Sequence, residues 1–412
     1  MKGEQSLEKC LICNGTIDPF ISFGRMPIAN GFLSPSQFAD EYFFDLQVAF
    51  CPNCGMVQLV KQVEPQKMFH ENYAFFSSTS TRMAIHFKEL ADLIMNNYLS
   101  SQDPFVVEIG SNDGIILQHI AGAGLRHLGI EPSLNVARVA MDKGVQTLCR
   151  FFDEGVAREI LAEHGQADVF LGANVMCHIP NLSSVFAGIK ILLKPKGTLI
   201  FEDPYLGDIV EKTSYDQIYD EHVFYFSLKS IIHLAGQHGL EVVDVVPQSV
   251  HGGSMRYLIA HKGTCPVGPA VESLRQKEEF LGLHRRETYD RLRHNIERSR
   301  DDLIELLEDL NQQDKRVVGY AATSKSTTVT NYCGISTDHV EFISDTTPIK
   351  QGKFSPGAHI PVRPYEEFVA DYPDYALLFA WNHTAEIMAK EKKFRRDGGK
   401  WIVYVPGVKV LK

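Results

Sequence analysis

Residues 106–114 read Val-Val-Glu-Ile-Gly-Ser-Asn-Asp-Gly, and they constrain the fold of the 412-residue chain more than any other stretch. A short apolar strand runs into a turn that contains two glycines, and the apolar pattern of a helix begins at Ile115. A second apolar run, residues 127–130, ends in Glu131. This order of strand, glycine turn, helix and acid-tipped strand is typical of a nucleotide-type cofactor site, where the acid binds ribose hydroxyls.

The amino-acid sequence of the turn argues against a dinucleotide as its ligand. A nicotinamide or flavin fingerprint has Gly-x-Gly-x-x-Gly, whereas Asn112 stands at the second glycine position and no third glycine follows at the required spacing. Glu108, two residues before the first glycine, suits a cationic ligand without phosphates, and S-adenosylmethionine (SAM) is such a ligand. The alternative is an ordinary strand–turn–helix whose glycines only relieve crowding. The predicted cofactor residues are Glu108, Gly110, Ser111, Asn112, Gly114, Glu131, Pro132, Phe151, Ala173 and Asn174.

Charge and hydropathy narrow the class of protein. The formal net charge of -10 argues against a broad nucleic-acid surface. No apolar run approaches the roughly 18 residues that cross a membrane, and the first residues lack the apolar core of a signal peptide. We therefore expect a soluble cytoplasmic protein with neither a membrane nor a nucleic acid as partner.

Two Cys-x-x-Cys knuckles lie near the start of the chain. They pair Cys10 with Cys13 and Cys51 with Cys54, and a glycine follows each pair closely. In a cytoplasmic protein such pairs bind metal more often than they form disulfides, and four thiolates suit one closed, structural zinc site. The alternative is two independent thiol pairs.

The order of patterns predicts an α/β chain in four parts. We expect a zinc-binding domain over residues 1–75, a Rossmann-like SAM methyltransferase domain with a parallel sheet over 76–265, a long helical connector over 266–314, and a Rossmann-like C-terminal domain over 315–412. The last domain opens with a short strand and a hydroxyl-rich helix start. Backbone amides, hydroxyls and a lysine there favour a phosphate or diphosphate, although a simple helix cap would use the same residues. The predicted ligands are Thr323, Ser324, Lys325, Ser326 and, at the end of the next strand, Asp345.

The candidate catalytic residues lie in a polar, aromatic segment after the fourth strand of the central sheet. Tyr219, Glu221 and His222 could supply a phenol, an orienting carboxylate and a base at the edge where open α/β sheets bind ligands. His178 follows another strand at that edge and is a second candidate base. Packing is the alternative role for each of them.

Taken together, the sequence motifs of this chain resemble those of the bacterial nucleotide-sugar 3-C-methyltransferases of deoxysugar biosynthesis, most of all the tetronitrose-pathway branch. The resemblance spans nearly the whole chain. It is carried by the paired cysteines, Glu-Ile-Gly-x-Asn-Asp-Gly, Cys-His-Ile-Pro, Phe-Glu-Asp-Pro-Tyr-Leu-Gly-Asp-Ile-Val, Asp-Glu-His, Val-His-Gly-Gly and Ala-Leu-Leu-Phe-Ala-Trp-Asn-His.

The resemblance implies a zinc domain, a SAM domain and a C-terminal domain, with a dTDP- or GDP-linked keto-deoxysugar held between the last two. It implies that His222 is the base, with Tyr219, Glu221, His178 and Tyr73 as active-site partners. The predicted substrate site also includes Asn382 and His383, the last two residues of the motif Ala-Leu-Leu-Phe-Ala-Trp-Asn-His. We expect a monomer.

The predicted reaction is C-methylation beside a ketone. His222 would remove the acidic proton, Tyr219 or His178 would stabilise the enolate, and the enolate carbon would attack the SAM methyl group. Two alternatives remain open from the sequence: an NAD-dependent sugar epimerase or dehydrogenase, and a zinc-ribbon scaffold without enzymatic activity.

Overall fold

A computed structural model describes residues 9–68, 77–79, 81–99 and 101–412, and these form three β-sheets with their surrounding helices. The predicted α/β class is confirmed. Among the described residues, no helix is long and apolar enough to cross a membrane.

The N-terminal part is a small antiparallel sheet. Its elements are β1 (Asp18–Pro27), β2 (Phe43–Phe50), β3 (Val57–Leu59) and the single turn of helix α1 (Pro65–Met68). In β2 the apolar residues face the core, and Leu46, Val48, Ala49 and Phe50 are all buried.

The central part is an α/β unit built on a seven-stranded sheet. Its elements are α2 (Thr81–Asn97), β4 (Phe105–Ile109), α3 (Leu117–Gly122), β5 (Arg126–Ile130), α4 (Leu134–Asp142), β6 (Thr147–Leu148), α5 (Glu154–His164), β7 (Ala167–Ala173), α6 (Leu182–Leu192), β8 (Leu193–Pro204), α7 (Leu206–Lys212), β9 (Phe224–Tyr225), α8 (Leu228–Gln237), β10 (Leu240–Gln248) and β11 (Ser254–His261). The strand order is β10-β11-β8-β7-β4-β5-β6. Every residue of β4 is buried, as expected for a parallel strand covered on both faces.

Two details of this region differ from the predictions. The sheet is parallel from β8 to β6, but β11 runs antiparallel to both β8 and β10, so the sheet is mixed. The helical connector is two helices, α9 (Pro269–Leu281) and α10 (Arg286–Gln312). The break falls at Gly282, whose φ of 68° ends α9 in the left-handed region that favours glycine.

The C-terminal part is a second Rossmann-like unit. Its elements are β12 (Val317–Tyr320), α11 (Ser324–Tyr332), β13 (Ile343–Asp345), β14 (Val362–Pro364), α12 (Tyr365–Ala370), β15 (Tyr375–Leu378), α13 (Thr384–Lys390), α14 (Lys392–Arg396), β16 (Lys400–Val403) and β17 (Lys409–Leu411). The strand order is β14-β13-β12-β15-β16-β17, and only β17 is antiparallel.

The three parts share their cores. One apolar cluster joins the N-terminal strands, the inner face of α10 and the C-terminal sheet, with Leu292, Ile296 and Leu303 of α10 buried within it. The short strand β9, which belongs to the central part in sequence, pairs with β3 and becomes the fourth strand of the N-terminal sheet. The segment that precedes β9 is thereby carried to the place where all three parts meet.

The two cysteine knuckles converge on one site. The Sγ atoms of Cys10 and Cys54 lie 3.5 Å apart, as do those of Cys13 and Cys51, and all four sulfurs fall within 4.8 Å of one another. Sulfurs about 2.3 Å from a tetrahedral zinc ion lie about 3.8 Å apart, so the set fits a structural zinc site. The Cys10–Cys54 hydrogen bond lowers the pKa of Cys10 to about 5 and raises that of Cys54, so zinc binding would displace protons from the cysteines that remain protonated.

Replacing one ligand should therefore destabilise the N-terminal sheet. We predict that Cys51→Ser reduces bound zinc to near zero and lowers the melting temperature by more than ~5 °C, because the loop-rich domain loses its metal cross-link. Metal analysis and thermal unfolding measure both effects. Cys265→Ser, at a half-buried cysteine outside the cluster, is the matched control. Full zinc content and an unchanged melting temperature in Cys51→Ser would contradict the assignment.

Candidate active site

One cavity of about 340 Å³ lies where the three parts meet. It brings together most of the residues that the sequence singled out. Its lining includes Glu108, Gly110, Ser111, Asn112, Glu131, Pro132, Phe151, Ala173, Asn174, His178, Tyr219, Glu221, His222, Thr323, Ser324, Lys325, Asn382 and His383. Tyr73 lies outside the described residues.

The glycine turn after β4 has the conformation that its sequence predicts. Gly110 has a φ of 59°, and a Cβ atom there would lie only 2.4 Å from Cγ2 of Val175. Asn112 also lies in the left-handed region, with a φ of 48°, a conformation that asparagine tolerates better than most residues. Gly114 does not line the cavity; it has a φ of 75° and lets the turn pack closely against Val145. The glycines thus shape the turn, and Gly110 brings it close to the loop after β7.

Glu131 is fixed by backbone amides at the end of β5. One carboxylate oxygen accepts a hydrogen bond from the amide of Asn112 at 3.1 Å, and the other accepts one from Ser133 at 2.8 Å. Each oxygen keeps a second lone pair, so the carboxylate can still accept from vicinal hydroxyls in the cavity.

Glu108 is a buried acid at the same end of the cavity. It is 2% exposed, and its Oε2 atom has no hydrogen-bond partner among the described residues. Burial, with the nearby carboxyls of Glu131 and Asp113, raises the pKa of Glu108 well above its usual range. A cation bound here would favour the ionised form.

The entrance to α2 packs on this turn, which sequence reasoning missed. The amide of Ser77 donates to Oδ1 of Asn112 at 3.0 Å, and the amide of Ser78 donates to Oδ2 of Asp113 at 3.2 Å. The spacing of Asn112 and Asp113 carries no sign of a partner 35 residues away, so only the tertiary structure reveals it.

His222 and Tyr219 form a hydrogen-bonded pair. Nδ1 of His222 donates to the carbonyl of Gln217 at 2.7 Å, which leaves a lone pair on Nε2, and the Tyr219 hydroxyl donates to that nitrogen at 2.8 Å. Burial, and to a lesser degree the neighbouring His178, lowers the pKa of His222 well below its ordinary value. The imidazole is therefore a neutral base with its lone pair directed at a phenol.

His178 lies beside this pair on the short helical turn Met176–His178. Its ring stacks on that of His222 with the centroids 5.3 Å apart, and burial lowers its pKa to about 4. The turn is reached through Asn174, whose φ of 54° bends the chain sharply at the end of β7. Both imidazoles are thus neutral at physiological pH.

Two buried lysines of the C-terminal part also line the cavity. Lys325, at the start of α11, donates to the carbonyl of His251 at 3.3 Å, and Lys350 donates to the carbonyl of Ala322 at 2.8 Å. Burial lowers the pKa of both lysines. Lys350 was not predicted, because it lies in an irregular loop far along the chain from the other residues.

Two predicted phosphate ligands do not line the cavity. The hydroxyl of Ser326 is buried and donates to the carbonyl of Thr323 at 2.6 Å within its own helix. Asp345 accepts from the amides of Ala322 and Thr347, both at 2.7 Å, so it shapes the turn after β12. Thr323 caps the helix through the amide of Ser326 and also lines the cavity.

Comparison with known proteins shows which protein family has this domain arrangement. The chain is 36% identical over 409 residues to the C-methyltransferase NovU of Streptomyces niveus, an alignment that covers 98% of this chain and 97% of that protein. The chain belongs to the C-methyltransferase family. Family models match throughout: a zinc binding domain at 10–69, a methyltransferase domain at 83–245 and a C-methyltransferase C-terminal domain at 249–406.

This assignment confirms the predicted family, and it makes the protein a SAM-dependent C-methyltransferase with a structural zinc ion. It replaces the two alternatives, an NAD-dependent epimerase or dehydrogenase and a zinc-ribbon scaffold. A shorter match, 33% identical over 98 residues, joins 23% of this chain to 41% of a ubiquinone biosynthesis O-methyltransferase of Ralstonia nicotianae.

Two solved structures illustrate the match to known folds: magnesium protoporphyrin IX methyltransferase with bound SAH and the PH0226 protein from Pyrococcus horikoshii OT3, the latter covering 46% of this chain and 95% of its own at 14% identity with a TM-score of 0.36. Magnesium protoporphyrin IX methyltransferase from Synechocystis PCC 6803, with bound SAH, covers 43% of this chain and 83% of its own at 15% identity, with a TM-score of 0.34. A score this low carries no functional argument.

We predict that SAM binding releases a proton from Glu108. Burial disfavours the ionised form of this carboxyl in the free protein, because its pKa is raised. A bound cation lowers that pKa, so the affinity for SAM should rise with pH and level off above the raised pKa. Calorimetry at several pH values measures this. Glu108→Gln should bind SAM more weakly, by about tenfold, and lose the pH dependence; wild-type behaviour in this variant would contradict the prediction.

Proposed function

We propose that the protein methylates the carbon beside the ketone, C-3, of a nucleotide-linked 4-keto-6-deoxysugar. The observation that carries the proposal is that a neutral His222–Tyr219 pair lines the same cavity as the glycine turn after β4 and two buried lysines. The full-length similarity to the C-methyltransferase NovU agrees with this reaction type.

The two ends of the cavity have opposite electrostatic needs. At the SAM end, Glu108 would hold the positive charge of the cofactor and Glu131 its ribose hydroxyls, while Pro132 and the exposed ring of Phe151 would cover the adenine. At the other end, neither Lys325 nor Lys350 has a carboxylate within salt-bridge distance in the part of the chain that the structure describes. A diphosphate would supply that charge, with Thr323, Ser324, Asn382 and His383 around it.

A keto sugar is the acceptor that this pair of residues can activate. Carbon is a poor nucleophile, but a proton beside a ketone is acidic enough for an enzymic base. Nε2 of His222 takes that proton, and the carbonyl of Gln217 holds the resulting imidazolium through Nδ1. Nε2 can accept that proton only after the Tyr219 hydroxyl has turned away from it, and the freed hydroxyl then donates to the ketone oxygen that becomes the enolate oxygen.

The carbon–carbon bond forms from the enolate. When bound, SAM would supply the methyl group that the enolate electron pair takes up, with S-adenosylhomocysteine as the leaving group. His178, stacked on the base, faces the same space and can donate to the sugar, and Glu221 sits beside Tyr219. Tyr73 remains a predicted partner from the segment that precedes α2.

Removal of the base should abolish the reaction. We predict that His222→Asn reduces methyl transfer by at least about a hundredfold while SAM affinity stays within about twofold, because Nε2 is lost and the cofactor end is untouched. A screen of nucleotide-linked keto-deoxysugars with SAM, read by product mass, tests the substrate class. His294→Asn, on the exposed face of α10, is the matched control. Full activity of His222→Asn would exclude the mechanism.

The pH profile should follow the neutral form of His222. Because burial lowers its pKa, the wild-type rate should stay level from neutral pH down past the usual histidine range and fall only at lower pH, where the imidazole becomes charged. A rate already falling through pH 7 as the medium is acidified would contradict this assignment.

The lysine pair should bind the nucleotide diphosphate. We predict that Lys325→Met and Lys350→Met each raise KM for the nucleotide sugar by about tenfold or more, and weaken the binding of the free nucleoside diphosphate, without changing SAM affinity. Calorimetry with dTDP and GDP measures the effect and also identifies the nucleotide. Lys409→Met, at an exposed position on β17, is the control. An unchanged KM in both variants would remove the diphosphate from this end.

A further inference from the structure

The N-terminal domain sends a loop into the active site. Residues 28–33, here called the Asn30 loop, leave β1 and reach the segment that carries His222. Nδ2 of Asn30 donates to Oε1 of Glu221 at 2.7 Å, and the backbone amide of Ala29 donates to Oδ1 of Asp220 at 2.9 Å. Asn30 also lines the reaction cavity. The loop from the zinc-binding domain thus contacts two consecutive acids of the catalytic segment.

The loop is anchored by contacts that do not involve Glu221. The hydroxyl of Thr327 on α11 donates to the carbonyl of Ala29 at 2.8 Å. Leu33 exchanges two backbone hydrogen bonds with Phe354, at 3.1 and 2.8 Å. The loop therefore has its place set by the C-terminal domain, and it can hold Glu221 rather than follow it.

A second contact holds the two domains together just beyond the loop. Glu41 is almost buried; its carboxylate accepts from the amide of Gly357 at 2.7 Å and pairs with His359 at 2.7 Å. The ring of His359 stacks on Phe38 with centroids 3.7 Å apart. These contacts hold the chain that follows the Asn30 loop against the C-terminal part.

The groups around Glu221 explain why a neutral donor is useful there. The charge of Glu221 acts to raise the pKa of four neighbouring groups, which are Asp220, Lys350, Tyr219 and Cys177. Burial and the Glu221 charge raise the pKa of Asp220 to about 8. An amide can hold the Glu221 carboxylate without adding charge beside Lys350, the lysine that the diphosphate needs.

We propose that Asn30 is a positioning residue, which fixes the Glu221 carboxylate beside the Tyr219–His222 pair. This rests on the proposed function, since it assigns Asn30 to the same methyl transfer. The zinc-binding domain is then part of the active site through one amide.

A double-mutant cycle separates positioning from general stabilisation. We expect Asn30→Ala and Asn30→Asp to lower kcat about tenfold or more, with SAM affinity within about twofold of wild type. In a Glu221→Gln background the Asn30→Asp change should alter kcat less than about twofold, because the new aspartate can accept from the new glutamine amide and no carboxylate is left at position 221 to misplace. Asn311→Asp, at an exposed position of α10, is the control.

The outcomes distinguish this inference from the proposed function. If wild type turns over a keto-sugar nucleotide but Asn30→Asp costs the same factor with and without Glu221→Gln, the role of Asn30 is structural and the inference is wrong. If wild type turns over no keto sugar, the proposed function fails, and a crystal structure of Asn30→Ala with S-adenosylhomocysteine decides the inference alone. A Glu221 carboxylate displaced by about 1 Å or more supports it; an unmoved carboxylate overturns it.

Discussion

The candidate active site depends on how residues 215–225 are held, because this segment is bound to all three parts of the structure. Val223 makes backbone hydrogen bonds to two of these parts. Its carbonyl accepts from the amide of Leu59 in the N-terminal sheet, and its amide donates to the carbonyl of Cys177 in the central part. The hydroxyl of Thr328 on α11 donates to the carbonyl of Ile218. Since His222 lies within this segment, its position requires every domain to be folded and docked.

The same segment has a buried acid as its link to the C-terminal sheet. Oδ2 of Asp216 accepts from Nε1 of Trp381 at 2.6 Å and from the hydroxyl of Tyr404 at 2.8 Å. Burial raises the pKa of Asp216, and nearby Lys325 and these two donors oppose that shift. Lys325 is thus coupled electrostatically to Asp216, so this cavity lysine and the segment that carries His222 form one connected structure.

Burial sets the chemistry of the cavity. It keeps His222 and His178 neutral, so that each imidazole retains a nitrogen lone pair, and it disfavours the charged forms of Glu108, Lys325 and Lys350. The acid belongs to the central part and the lysines to the C-terminal part, so a cation beside the acid and an anion beside the lysines would each restore the charge that burial opposes. A sulfonium cofactor and a nucleoside diphosphate have those complementary charges.

Short-range patterns in the chain were enough to predict the local features and the family. Apolar runs and two glycines predicted the strand–turn–helix at residues 105–122, and the paired Cys-x-x-Cys knuckles predicted the cysteine cluster. The longer sequence motifs predicted the family. Local sterics and ligand geometry suffice to specify such features. The break of the connector at Gly282 and the antiparallel β11 were missed, because their signals compete with tertiary packing.

Which distant residues meet was settled by the folded arrangement of the domains. Asn30, Lys350 and His222 lie more than a hundred residues apart from one another in sequence, and no spacing rule relates them. They meet because β9 pairs with β3 and because α10 packs between the N-terminal and C-terminal sheets. Long-range strand pairing and the burial of shared apolar surface make those contacts, and neither leaves a periodic mark in the chain. The glycine turn at Gly110 predicted a cofactor from local sequence, whereas the docking of the three domains formed the cavity that this turn lines.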